Sequence, residues 1–521
     1  MLEKILQSKK LIIEGLFFII MLGLFLFIGT KLLLGPYNFS RALNLYDEGV
    51  FLTGAKRFAQ GEMPYKDFWT LYAPLNSLSL GWIFKIFGQS IYIERTFNLV
   101  ISLLGLSSIY VLFRTKTNFV YAGVACLFFV LFSSPIKITH LFIFLTLISS
   151  FALIKNRDSK LIPIICGGIC GLGFINRFDF GGLMGAISVL AFILIYKSDY
   201  KKLLKQILRF SLGFFMITIP VLIWLIHANA LRDMIDQTVL YPFFGNYSAM
   251  RTLPFPKINE GTDGLKTIIY NFFYFFFSFL VVIFSTSILF FSKKLKENKL
   301  PIILFILVVI GTIPYLFSRI DTSHFNYIDI LALTLFFYTI FSIKNLKSKY
   351  LIISLIIPIF LISRPFITQI RETKNFNQIQ QKEYSFYSAP LAKTDSNDAL
   401  EKVYEYMKSS SDPFDPIYIG LPDHTRIFNN NVMLYFLLPN PIATRYHELH
   451  PGITNTEDVQ KTMIKELLQA KYVILWDKFY CETVNDGCKS SGVKLLDEYI
   501  KNNYSEITNF AEYKILKKRN V

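Results

Sequence analysis

Long apolar runs alternate with short polar ones through the first two thirds of the chain. The runs lie near residues 11–34, 93–113, 119–134, 138–154, 161–176, 181–196, 206–227, 269–291, 300–317, 327–343 and 350–366. A helix needs about 18 or more apolar residues to cross ~30 Å of hydrocarbon, so the pattern predicts about eleven transmembrane helices. Residues 74–87, "PLNSLSLGWIFKIF", are apolar but short, which suits a helix lying along the interface or dipping into it. From about residue 367 the chain turns polar and Asn-rich. There "PIYIGL" and "YVILWD" read as buried strands. "NTEDVQKTMIKELLQA" reads as a helix, with Thr456 as N-cap and Val459, Met463, Leu467 and Leu468 on one apolar face. The division expected is a transmembrane domain over 1–366 and a small α/β domain over 367–521.

Composition agrees with this pattern. Of 521 residues 53% are hydrophobic and only 17% charged, below the roughly 25% of soluble domains, so the expected class is a polytopic α-helical membrane protein. A net charge of +17 would point to nucleic acid in a soluble protein. Here the basic residues sit in short loops between apolar runs, so they read as topology signals and headgroup contacts, with the bilayer as partner and no nucleic acid. "MLEKILQSKK", "RTKT", "KNRDSK", "YKSDYKK", "SKKLKENK" and "KNLKSKY" are densely basic and are expected on the cytoplasmic side. The alternate loops and the C-terminal domain are then extracytoplasmic. The first apolar run is too long for a cleaved signal peptide and reads as a retained span. Cys126, Cys166 and Cys170 lie in apolar runs and read as packing residues. Cys481 and Cys488 could pair if their compartment is oxidising.

The candidate chemistry begins just after the first run, where Asp47 and Glu48 are adjacent. Gly61, "PYKDFWTLYAPL", Phe87-Gly88 and Arg95 follow in order. This succession resembles the first extracytoplasmic loop of the GT-C glycosyltransferases, in particular the bacterial relatives of protein O-mannosyltransferases and lipid A aminoarabinose transferases. "YAPL" stands where some relatives carry a His-Pro-Pro or Lys-Pro-Pro element, which leaves the acceptor class open. The resemblance implies a GT-C-like fold in a bacterial plasma membrane and a donor sugar carried on polyprenyl phosphate. The acceptor would be a glycan, lipid or protein of the envelope. It also implies that Asp47 takes the acceptor proton as general base, with Glu48 orienting Asp47 or the acceptor.

A departing phosphate gathers negative charge and needs cations, for which forked arginines are suited. Arg95, Arg177 and Arg319 are the candidates. Arg177 and Arg319 each stand two residues before an acid, Asp179 and Asp321, and His324 follows in "SRIDTSHF". For both Arg–acid pairs a local salt bridge is as good a reading as a substrate contact. No cofactor is required. A divalent metal on Asp47, Asp179 and His324 is compatible with oxygen and imidazole preferences, although nothing in the spacing demands it. No P-loop and no cytoplasmic Asp-x-Asp pair is present, which argues against an ATP-driven pump or a nucleotide-sugar transferase. Residues 228–268 have the length of a lid over an acceptor groove. In the tail Arg445, His447, Glu448 and His450 cluster, and read as a structured docking turn or an acceptor contact. The alternatives from other classes are a transporter of polyprenol-linked lipid or polysaccharide and a non-catalytic scaffold. A transporter calls for polar groups at mid-membrane, whereas these candidates lie at the outer ends of spans.

Overall fold

The computed structural model describes residues 2–32, 38–131, 135–244, 265–292, 295, 299–317, 322–343, 381–388, 390–427, 429–478 and 490–519. The helices in the first two thirds are α1 (Leu2–Phe27), α2 (Asp47–Ala59), α3 (Pro74–Phe87), α4 (Ile91–Arg114), α5 (Phe119–Leu127), α6 (Ile138–Lys155), α7 (Leu161–Asn176), α8 (Phe178–Tyr196), α9 (Tyr200–His227), α10 (Leu231–Ile235), α11 (Tyr241–Phe244), α12 (Leu265–Phe291), α13 (Leu300–Thr312) and α14 (Thr322–Phe341). The chain divides into two compact units. One comprises Met1–Phe39, Thr96–Pro220 and Thr252–Gln378, the other Ser40–Arg95, Val221–Arg251 and Ile379–Val521.

The first unit is a helical bundle. Six helices of the chain, Leu11–Thr30, Ile91–Arg114, Ile138–Lys155, Phe178–Tyr196, Tyr200–His227 and His324–Phe341, are long and apolar enough to cross a membrane among the described residues. This is the pattern of a multi-pass membrane protein. The expected spans near 161–176, 269–291 and 300–317 fall on shorter apolar stretches, Leu161–Asn176, Phe276–Phe291 and Leu300–Leu316. That near 119–134 is a nine-residue α5 followed by a 3-10 turn at Phe128–Leu131. The run near 350–366 lies outside the described residues.

Burial sorts the bundle into inside and outside. The stretch His324–Phe341 is 94% buried and forms the centre, whereas Leu11–Thr30 is 11% buried and turns Leu11, Ile12, Ile19 and Ile20 outward. Outward apolar faces of this kind are what lipid tails solvate. Close contact between α7 and α9 depends on glycine. A Cβ at Gly167 of α7 would meet the carbonyl oxygen of Phe210 at 1.9 Å, and one at Gly213 of α9 would meet that of Ile164 at 1.9 Å. Each helix therefore admits the other's backbone only through the missing side chain. Cys126, Cys166 and Cys170 are buried and unoxidised, and Cys481 and Cys488 lie outside the described residues.

The second unit is mixed. Its later elements are strands β1 (Gln381–Lys382) and β2 (Leu391–Ala392), helix α15 (Asp395–Ser410), β3 (Ile417–Gly420), α16 (Val432–Leu437), α17 (Glu457–Leu467), β4 (Tyr472–Trp476), α18 (Leu495–Asn503), β5 (Tyr504–Phe510) and β6 (Tyr513–Lys518). The main sheet has the order β3-β4-β6-β5, parallel at β3/β4 and antiparallel elsewhere. The two strands expected from "PIYIGL" and "YVILWD" are β3 and β4, with Ile417, Tyr418, Ile419, Val473 and Ile474 buried.

Helix α17 starts after Thr456 as expected, but the Thr456 hydroxyl donates to the Ile453 carbonyl instead of capping the helix. Its buried face is Gln460, Met463 and Leu467, while Leu468 is exposed. The Gln460 amide earns that position by donating to the carbonyls of His424 and Val493 and accepting from Leu496 N, which satisfies a buried polar group. The short apolar stretch 74–87 is helix α3, packed against α2, with Trp82, Ile86 and Phe87 exposed.

Candidate functional site

The first turn of α2 carries the acidic pair and is built by Asn44. The Asn44 Oδ1 accepts from the backbone N–H of Tyr46 at 3.1 Å and of Asp47 at 2.8 Å, while its Nδ2 donates to Asp47 Oδ2 at 3.1 Å. The Asn44 N–H in turn donates to Glu48 Oε2 at 3.1 Å. One asparagine thus caps the helix and engages both acids, and carboxylates are favoured at a helix N-terminus.

The two acids then part company. Asp47 is exposed, whereas Glu48 is 5% exposed. Arg95 grips Glu48 with a fork, Nε to Oε1 at 2.8 Å and Nη2 to Oε2 at 3.2 Å, and Arg41 adds a contact at 3.4 Å. Burial works against the Glu48 charge. Arg41 and Arg95, with the hydrogen bonds from Arg95 and Asn44, outweigh it and hold the carboxyl below the usual carboxylate range. Arg95 also donates through Nη1 to the Arg41 carbonyl at 3.2 Å and lies 5.4 Å from the centre of the Tyr387 ring. The structure therefore brings Glu48 and Arg95 together as one buried ion pair, with Asp47 beside it and open.

The opposite face of α2 is pinned to the C-terminal segment. Gly49, Thr53, Lys56 and Arg57 recur at helical spacing and so share that face. A Cβ at Gly49 would lie 2.3 Å from the Met433 nitrogen, and the Met433 N–H donates to Leu45 O at 2.9 Å. Thr53 donates to the Val432 carbonyl at 3.1 Å. Lys56 Nζ sits among the carbonyls of Tyr435, Phe436 and Leu438, at 3.0, 3.2 and 2.5 Å, and closes the C-terminus of α16. Arg57 donates to the Thr444 and Asp67 carbonyls and pairs with Glu62.

The tail cluster docks on the same unit. Arg445 donates to the Tyr65 carbonyl, at a residue whose φ of 72° is strained for a side-chain-bearing position. His447 accepts from Arg57 Nη1 through Nδ1 at 3.3 Å. Burial, and then the Arg57 charge, hold it neutral, well below the ordinary histidine range. His450 meets the Tyr241 hydroxyl at 3.1 Å, and burial pushes it down to about 4. Glu448 is 1% exposed and accepts from the Tyr46 hydroxyl at 3.0 Å through Oε1. Burial, and the Asp47 charge to a lesser extent, push Glu448 up to about 7 against the lowering effect of the Tyr46 bond.

In the other unit Arg177 occupies the junction of α7 and α8 in extended conformation. Its fork closes on Asp179, Nε to Oδ1 and Nη2 to Oδ2, both at 2.9 Å. The guanidinium also lies over two rings, 4.5 Å from Phe180 and 4.3 Å from Tyr315. His324 stacks on the same Tyr315, with centroids 4.6 Å apart. Arg177 and His324 thus meet on one tyrosine, and Asp179 is held by Arg177. Arg319 and Asp321 lie outside the described residues, as does 245–264 of the expected lid loop. Among the described residues, no three His, Cys, Asp or Glu side chains group in a way that could hold a metal ion.

Sequence reasoning missed Asn44, Tyr46, Tyr315 and the partners of Lys56 and Arg57. Two adjacent cations on a helix whose other buried positions include Val50, Leu52, Ala55 and Phe58 were a readable signal, because buried charges require partners.

No protein-family model matches the chain, and no curated protein does. Solved structures do. ArnT from Cupriavidus metallidurans in the apo state is 11% identical, with 96% of this chain and 97% of that chain covered and a TM-score of 0.56. The same protein bound to undecaprenyl phosphate gives 12% identity, the same coverage and a TM-score of 0.54. The Archaeoglobus fulgidus oligosaccharyltransferase tethered to an acceptor peptide is 12% identical, with 95% of this chain and 72% of that chain covered and a TM-score of 0.49. The chain thus shares the fold of ArnT over nearly the whole length of both proteins.

Proposed function

We propose that the chain is a membrane glycosyltransferase that moves a sugar from a polyprenyl-phosphate carrier to a hydroxyl-bearing acceptor of the cell envelope. The observation that carries this reading is the asymmetry of the acidic pair: Glu48 is neutralised and buried by Arg95, while Asp47 is fixed by Asn44 and left open to solvent. An open, oriented carboxylate is what a general base requires. In the step proposed, the acceptor oxygen attacks the anomeric carbon and its proton passes to Asp47. The bond from the anomeric carbon to the phosphate oxygen breaks, and polyprenyl phosphate leaves as the monoester. A forked arginine suits the growing phosphate charge. The fold shared with a protein seen holding undecaprenyl phosphate supports a lipid-borne donor.

One observation favours a second reading. Asp329 of α14 is 2% exposed and accepts from Ser278 of α12 at 2.7 Å, and an acid within an apolar helix can mark an ion or proton path of a transporter. The two readings separate in one experiment. The purified full chain in bilayer vesicles receives radiolabelled undecaprenyl-phosphate sugars, a panel carrying glucose, mannose, arabinose or aminoarabinose, together with envelope material from the source cells. Label is expected to pass from one of the lipids to an envelope acceptor with release of undecaprenyl phosphate. Movement of intact labelled lipid across the bilayer, with the sugar still attached in every case, would establish the transporter instead.

The lipid-borne donor goes with a definite orientation, N-terminus cytoplasmic and the C-terminal segment outside. Cysteine placed at Ser159, before α7, should resist a membrane-impermeant thiol reagent in intact cells. Cysteine placed at Ser410, at the end of α15, should react. The reverse labelling would put Asp47 on the nucleotide side and remove the argument for a lipid carrier.

A further inference from the structure

Glu448 has no part in the reaction as written, yet its placement is unusual. It is 1% exposed, its Oε1 accepts from the Tyr46 hydroxyl at 3.0 Å, and its Oε2 is buried without a hydrogen-bond partner. Tyr46 is the residue before Asp47 and the N-cap position of α2. We propose that Glu448 is a positioning residue for Asp47: its buried carboxyl group anchors the Tyr46 side chain and so sets the direction in which the first turn of α2 presents the base. This rests on the transferase reading.

Several observations converge. The backbone on either side of Glu448 is rigid, because Asn430 donates to the His447 carbonyl at 2.8 Å and accepts from Leu449 N at 3.1 Å. The Tyr46 N–H is itself held by Asn44, so the tyrosine is fixed at both ends and its backbone cannot turn without breaking one of the two bonds. A buried carboxylate with one oxygen unpartnered carries an uncompensated charge, whereas the protonated group does not. The groups that bear on the Glu448–Tyr46 pair are Asp47 and, on the tyrosine, Tyr72. The neighbouring His447 and His450 turn to Arg57 and Tyr241. Glu448 and Asp47 thus form an unlike pair: a buried acid, and an exposed one whose charge reaches it.

The test joins kinetics to spectroscopy on the full chain in bilayer nanodiscs, with the undecaprenyl-phosphate sugar found active in the panel as probe. Tyr46→Phe and Glu448→Ala are each expected to lower kcat roughly 10-fold with KM for the lipid unchanged, since misorientation of a base acts on the chemical step. The double variant should be no slower than either single one, because both cut the same link. Glu448→Gln keeps an oxygen for the Tyr46 hydroxyl and should restore most of kcat. Infrared titration from about pH 5 to 9 supplies a readout independent of turnover. A carboxyl band absent from Glu448→Gln should titrate in wild type and move its midpoint to lower pH in Asp47→Asn, where the neighbouring negative charge is gone. Wild-type kcat in Glu448→Ala, additive losses in the double variant, or an unmoved midpoint in Asp47→Asn would each overturn the proposal. The parent reading fails separately: if Asp47→Asn transfers sugar at the wild-type rate, Asp47 is no base and Glu448 has nothing to position.

Discussion

Asp47→Asn is expected to lower sugar transfer about 100-fold or more, the ordinary scale for loss of a general base. Asparagine keeps the size of the side chain and can still meet Asn44, which donates to Asp47 Oδ2 at 3.1 Å, but it cannot accept the proton released by the attacking hydroxyl. Because Asp47 is exposed, the substitution buries nothing and empties nothing, so expression and melting should match wild type. The loss should appear in kcat, with donor affinity preserved. A well-folded Asp47→Asn protein that turns over at the wild-type rate would falsify the assignment of the base. It would leave the buried Asp329 as the more informative acid of the molecule.

The second large effect is on folding. Arg95→Ala strips the forked partner from Glu48, a carboxylate 5% exposed, and leaves Arg41 at 3.4 Å as its cation. Breaking one side of a buried pair costs about 3–5 kcal/mol, because the remaining charge is stranded in a poorly solvating interior. The variant should show a much lower melting midpoint and little monodisperse protein in gel filtration. Replacing both partners, as Glu48→Gln with Arg95→Met, removes the stranded charge and should recover most of the melting midpoint. An Arg95→Ala protein that melts like wild type would mean that Arg41 and Asn44 suffice, and would release Arg95 for the phosphate role that its position in the sequence first suggested.

The legible parts of the chain were those in which local pattern decides structure. Apolar runs became helices because a span has no other way to satisfy its backbone, and β3 and β4 were readable because the unbroken runs "IYIG" and "YVILW" are buried on both faces. Strands β5 and β6 were not, since "YSEITNF" and "YKILKK" mix polar and apolar residues even though β6 lies between β4 and β5. The acidic pair shows the limit most clearly. Asp47 and Glu48 are neighbours of the same charge, and nothing local separates them. Their different fates come from Arg95, 47 residues further on, and from a helix phase that turns one inward and the other outward. Arg177 and Asp179 were read equally well as a salt bridge or a substrate contact. The structure supplies the bridge and adds Tyr315, which no spacing rule could have attached to them.

The face of α2 that meets α16 has a consequence for how the molecule is made. Thr53 bonds to a carbonyl 379 residues further along the chain, Lys56 has partners equally remote, and Arg57 adds the Thr444 carbonyl to its nearby partners Glu62 and Asp67. During synthesis the acid-bearing helix leaves the ribosome long before Val432–Leu437 exists, so two cations and a bare glycine notch must wait in water or against the headgroups. Asp47 is therefore made long before the segment that seats its helix. A nascent chain halted before residue 432 would display the acids in an unfinished setting. The acidic turn thus acquires its final shape only once Val432–Leu437 has been made.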